Sequence, residues 1–121
     1  MSLHTLNIHL DFPYRVAFTH GVFRPENDAL AGLMEQREGS RVLVLVEEGL
    51  ERFYPSLPAD IDRYFTERAG TADYAGCRTV PGGEAAKTTF AAWEAALRHI
   101  VEAGIDRHSH IVAVGGGAFL D

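Results

Sequence analysis

Two short runs in this chain are apolar at almost every position, and they set the frame for the rest. Arg41-Val42-Leu43-Val44-Leu45-Val46 ends in Glu47 and Glu48, and His110-Ile111-Val112-Ala113-Val114 ends in three glycines. Continuous β-branched runs of this length are expected of strands buried on both faces of a parallel sheet. A weaker run over residues 74–80 predicts a further strand. Between and around them the apolar period lengthens. Leu30, Leu33 and Met34 share one face of a helix predicted from a cap at Asn27 and Asp28 to about Arg37, with Gly39 as its stop. Residues 49–54 and 59–68 read as two helical pieces, divided by Pro55 and Pro58 and ended by Gly70. Over residues 87–103, Phe90, Trp93, Leu97, Ile100 and Val101 recur at three- and four-residue intervals, which predicts a buried helical face closed by Gly104. The start is different again, because residues 6–23 alternate apolar and polar around Asp11 and Pro13, the pattern of a two-stranded ribbon.

Strands that alternate with helices give an α/β fold, a Rossmann-like parallel sheet flanked by helices and carrying an N-terminal β-ribbon. A length of 121 residues suits one domain with a single core, so residues 1–121 are expected to form one nucleotide-binding domain. Composition narrows the function. A formal net charge of -6, with no basic stripe, argues against nucleic acid. There is no apolar run near twenty residues and no basic-then-apolar leader, so neither a membrane nor secretion is expected and the cytoplasm is. Cys77 is the only cysteine, which rules out an internal disulfide and a thiolate metal cluster. His108 and His110 lie two apart, but two ligands without a third make a poor metal site.

In an open α/β sheet, ligands bind beyond the carboxyl ends of the strands, so the residues after Val46, Val80 and Val114 carry the candidate chemistry. Glu47 is an acid at a strand end, a position from which carboxylates take ribose hydroxyls. Pro81-Gly82-Gly83-Glu84-Ala85-Ala86-Lys87 is a turn followed by an acid and a base on the first turn of a helix; Glu84 there also complements the helix dipole whatever the function. Gly115, Gly116 and Gly117 permit positive φ and the close approach of a ligand to the amides, and a following helix would favour a phosphate. A plain tight turn uses glycines too, and the GxGxxG fingerprint is missing because residue 120 is leucine.

Taken together, VLVLVEEGL (residues 42–50), PGGEAAK (81–87) and GIDRHSHIVAVGGGAFLD (104–121) resemble, in order and spacing, the N-terminal domain of 3-dehydroquinate synthase and its sugar-phosphate cyclase relatives. The resemblance spans residues 3–121. It implies that Glu47 holds the adenine-side ribose of NAD, and that Glu84 and Lys87 line the cofactor site. Gly115, Gly116, Gly117 and Ala118 would cradle the pyrophosphate, with Asp121 near the nicotinamide. Two departures stand out. Many dehydroquinate synthases have Asp where this chain has Gly82, and Val-Ile-Gly-Asp or similar where it has Ala118-Phe119-Leu120-Asp121.

The family oxidises a secondary alcohol of a heptulose phosphate with NAD, eliminates phosphate, returns the hydride and closes a carbocycle, aided by a divalent metal, usually zinc, in a C-terminal helical domain. By this resemblance the enzyme is a carbon–oxygen lyase and a homodimer. The chain is then expected to be a fragment with no catalytic residue of its own and no activity alone, stopping where the phosphate-binding helix is due after Asp121. An iron-dependent alcohol or glycerol dehydrogenase shares the architecture and the glycine turn, and a non-catalytic anion-binding module is the alternative of a different class.

Overall fold

The computed structural model describes residues 1–34, 37–68, 72–83 and 90–121. The elements run α1 (Ala29–Leu33), β1 (Arg41–Glu47), α2 (Leu50–Phe53), α3 (Leu57–Glu67), β2 (Asp73–Val80), α4 (Ala91–Glu102), β3 (His110–Val114) and α5 (Gly117–Leu120). The strands form a parallel sheet in the order β2-β1-β3 with helices on both faces, so the chain is an α/β fold. Being central, β1 is shielded by neighbours and helices alike, and Val42 through Val46 are all buried, as their uninterrupted apolar run demands.

Alternation along β1 splits the core in two. Val42, Val44 and Val46 face α3, where Ile61, Tyr64 and Phe65 pack with Phe23. Tyr64 sits at the centre, edge-on to Phe23 and Phe65 with ring centroids 5.8 Å and 5.1 Å away. The Arg68 guanidinium lies 4.7 Å over its ring and binds the carbonyls of Pro25 and Asn27, fastening the turn before α1 to this core. Leu43 and Leu45 face the other way, with Val80 and Ala92. A bulge in β2 lets Tyr74 and Cys77, an odd number of residues apart, both pack on the α3 side: Val42 pairs with Tyr74 but Leu43 with Gly76, whose φ of 110° is one that few other residues adopt.

Five expectations of the fold need correction. The run His110–Val114 forms β3, but it is not buried on both faces: among the described residues it pairs only with β1, and Ile111 and Ala113 are exposed while Val112 and Val114 are half-buried. Residues 1–19 form neither strand nor helix, and Leu6, Ile8, Leu10, Phe12, Tyr14, Val16 and Phe18 are exposed, so the N-terminal ribbon is absent. Alternation makes a strand only where one side finds a surface to cover it, and Pro13 has no N–H to give a ladder. Only at residues 21–24 does the chain turn in and bury Phe23. Next, α1 stops at Leu33 and Met34 is extended; Gly32 weakens a helix whose Leu30 and Met34 already reach the core. Its entry is as expected in part, since the Asn27 side-chain oxygen accepts the Ala29 N–H at 3.0 Å.

On α4 the expected stripe holds only at Ile100. Ala92, Ala95, Ala96, Ile100 and Ala103 meet the sheet, whereas Phe90, Trp93, Leu97 and Val101 are exposed. Alanines have the same helical spacing and let the helix axis come closer to the strands than a tryptophan could. Finally, α5 begins at Gly117, not beyond Asp121. The expected ends of other helices at Gly70 and Lys87 lie outside the described residues.

Candidate active site at the strand ends

A sheet ordered β2-β1-β3 has its topological switch point between β1 and β3, the place where open α/β sheets take ligands beyond the carboxyl ends. Glu47 is the last residue of β1 and stands at that end. It belongs to the Leu43, Leu45 series, opposite Val80 in the register, and so points to the α4 side. Both carboxylate oxygens are engaged. Oε1 accepts the Gly83 N–H at 2.9 Å and Oε2 accepts the Gly116 N–H at 2.8 Å. One side chain thereby joins the loop after β2 to the turn after β3.

The glycines serve this arrangement in different ways. Gly83 has φ of 78°, the left-handed region. Gly82 and Gly115 are needed for room: a Cβ on Gly82 would lie 2.1 Å from Glu47 Cγ, and one on Gly115 would lie 2.5 Å from Phe119 Cδ1 and 2.8 Å from Glu47 Oε2. Gly116 and Gly117 are open above, with nothing nearer than 3.8 Å to a Cβ on Gly116 and nothing within 4 Å of one on Gly117. The expectation of positive φ in the triplet is corrected, since none of its members has it. Its glycines provide space rather than an unusual turn.

Among the expected site residues, then, Glu47, Gly115, Gly116 and Gly117 come together at one place. Ala118 follows within α5, and Asp121 closes that turn by giving its N–H to the Gly117 carbonyl. Glu84 and Lys87 lie outside the described residues. The residues present fit a dinucleotide: an ionised carboxylate has about four acceptor positions and Glu47 uses two on amides, leaving others for hydroxyls. The N–H groups of Gly117 and Ala118 open a helical turn, where intrahelical acceptors are lacking. Gly116, in contrast, gives its N–H to Glu47.

Among the described residues no group of three or more His, Cys, Asp or Glu side chains could hold a metal. His108 stands in a turn whose Asp106 carboxylate accepts the His108 N–H and the Ser109 hydroxyl, both at 2.9 Å; these donors hold the Asp106 carboxyl below its usual range. On the α3 side, a cavity of about 600 Å³ lined by Phe23, Leu50, Tyr54, Leu57 and Val114 was not foreseen in the sequence. Nor was the pairing of Glu47 with Gly82. An acid at a strand end and a glycine pair at the neighbouring strand end were both visible, but their contact depends on register.

Comparison with known proteins places these features in one context. Over 108 residues, 89% of the chain, the sequence is 34% identical to 2-epi-5-epi-valiolone synthase of Streptomyces glaucescens, a sugar-phosphate cyclase of the 3-dehydroquinate synthase type. The matched part is 26% of that protein, so the chain spans about a quarter of the relative's length. No family model matches the chain, and no solved structure does. No helix among the described residues is long and apolar enough to cross a membrane.

Proposed function

We propose that residues 1–121 are the nucleotide-binding domain of a longer sugar-phosphate cyclase, with NAD lying across the ends of β1, β2 and β3. The observation that carries this reading is the Glu47 carboxylate at the switch point, flanked by two glycine turns of which one is open above Gly116 and Gly117. Similarity to a valiolone synthase supports the cyclase over the iron-dependent dehydrogenase.

In this reading Glu47 accepts hydrogen bonds from ribose hydroxyls on its remaining lone pairs, and its charge disfavours the extra phosphate of NADP. Gly117 and Ala118 offer amides to the pyrophosphate. Glu84, Lys87 and Asp121 line the remainder of the cofactor site. Bound NAD would supply a reversible hydride acceptor for a secondary alcohol of the substrate. The substrate is a heptulose phosphate that loses phosphate as the ring closes, which makes the whole enzyme a carbon–oxygen lyase. Its divalent metal, assigned as zinc, and its catalytic groups belong to the rest of the enzyme, which acts as a cytoplasmic homodimer.

The test is calorimetric titration of NAD into the wild type and Gly116→Val. Gly116 has φ of -79° and ψ of 173°, which valine adopts, so the variant should fold while its side chain fills the open space. Affinity should fall at least about tenfold, a loss near 1.4 kcal/mol. Unchanged affinity in a folded variant would overturn the cradle. The chain alone, given NAD, zinc and a heptulose 7-phosphate, should release no phosphate above the metal-only background, because a substrate misplaced by even about 1 Å can cost a hundredfold in rate.

A further inference from the structure

We propose that Glu47 is the positioning residue of both glycine turns: its carboxylate is the common anchor that sets the loop at residues 81–83 and the turn at residues 115–117 against the end of β1, and Gly82 exists to make room for it. The geometry stands without any cofactor. Two N–H groups 33 residues apart in sequence converge on the two oxygens of one side chain, at 2.9 Å from Gly83 and 2.8 Å from Gly116. Both bonds run to an ionised acceptor, the stronger class of hydrogen bond. Two of the surrounding glycines are sterically matched to this side chain, since a Cβ on Gly82 would stand 2.1 Å from Cγ and one on Gly115 2.8 Å from Oε2. Contacts below 3.0 Å with a chain held at both oxygens cannot be relieved by a small shift. Any side chain at residue 82 and the long acid at residue 47 therefore exclude one another.

This has a consequence for binding. The Gly116 N–H, central in the glycine triplet, is committed to the protein's own carboxylate, and an anion placed on it would meet Glu47 at close range. The turn is thus shaped by an internal anion. The anchor can be tested whether or not NAD is the cofactor.

The experiment follows amide proton shifts and hydrogen exchange at Gly83 and Gly116 by NMR in the chain, comparing wild type with Glu47→Gln, Glu47→Ala, Gly82→Ala and the Glu47→Ala/Gly82→Ala double variant. In the wild type both amides should be shifted downfield and protected. Gln has one acceptor oxygen and an NH₂ that opposes a second donor, so Glu47→Gln should lose protection at one of the two. Glu47→Ala should lose it at both, by roughly tenfold or more, the worth of a hydrogen bond to a charged group. Gly82→Ala is the discriminating variant: Gly82 lacks a positive φ, so alanine is compatible with the backbone, yet it should expel Glu47 and deprotect Gly116 in a different loop. The double variant should add nothing to Glu47→Ala. Exchange at Val44 and Leu45 reports whether the sheet remains folded. If Gly116 keeps its protection and shift in folded Gly82→Ala or Glu47→Ala, the anchor is wrong. Loss of NAD affinity in Gly116→Val with these results unchanged would leave the cofactor site standing and remove only the anchor.

Discussion

The two faces of the sheet are covered by helices of nearly equal length that work in opposite ways. α3 reaches the strands with its largest side chains, and Ile61, Tyr64 and Phe65 are buried against Val42, Val44 and Val46. α4 reaches them mainly with its smallest, Ile100 excepted: Ala92 is buried, Ala95, Ala96, Ile100 and Ala103 are half-buried, and Trp93 is 61% exposed. One face is held by interlocking rings, the other by close approach. Side-chain size is therefore a poor guide to which stripe of an amphipathic helix is inside, because two stripes on α4 satisfy the same period.

The comparison is most readily broken from the α3 side. Ile61 is fully buried, so Ile61→Ala should leave a cavity beneath Val44 that rings locked edge to edge cannot close, at a cost of about 3 kcal/mol. Urea denaturation measures it; a loss under about 1 kcal/mol would mean that the α3 face is as forgiving as the other. On the α4 side the damaging change is the reverse one, an increase in size. Ala92→Leu should push the helix off Leu43 and Leu45 and cost about 2 kcal/mol, whereas an α4 that is merely loosely docked would absorb it. Trp93→Ser should change stability by less than about 0.5 kcal/mol despite removing the largest side chain in the chain, since it is 61% exposed and meets Phe90 edge-on at 6.3 Å. A loss like that of Ile61→Ala would return Trp93 to the core.

These contrasts also mark how far the sequence could be read. β1 was legible because a strand covered on both faces has no polar positions to confuse its pattern, and α3 because Pro58 stands at its start; β3 was legible as a strand, but its apolar run overstated its burial, since Ile111 is 46% exposed. The candidate site was legible as three strand ends, Glu47 among them. Its internal bonding was not, since the Glu47 contacts depend on the parallel register that brings Val80 and Val114 level with the end of β1. Glycine identity was seen, but steric need at Gly82 and Gly115 looks the same in sequence as conformational need at Gly83. The N-terminal alternation misled for a simpler reason: period two states which side would be buried, not whether anything covers it.

The smallest effect sharpens the comparison through pH. On the α3 face the margin of the core holds two titratable groups, Cys77 and Tyr74. Burial, with the carboxylates of Asp62 and Glu51 adding to it and Arg78 opposing, pushes the Cys77 thiol up from 9.0 to about 11. Tyr74, whose hydroxyl donates to Asp62, is raised in the same direction, chiefly by burial. The folded chain therefore holds these protons where the unfolded chain releases them. Stability from Cys77 is complete below about pH 9 and is lost as pH rises through about 11, with Tyr74 extending the loss further. Cys77→Ala should flatten the fall in urea midpoint across that window, and Tyr74→Phe should flatten its upper part. Ala92→Leu lowers stability but should leave the slope with pH as it is in the wild type. Folded Cys77 should also be alkylated more slowly than the urea-unfolded chain near pH 9, because the thiolate is the reactive form. Parallel pH profiles for wild type and Cys77→Ala would show that the thiol is as well solvated in the folded chain as out of it, and that the two faces of the sheet differ in size of side chain alone.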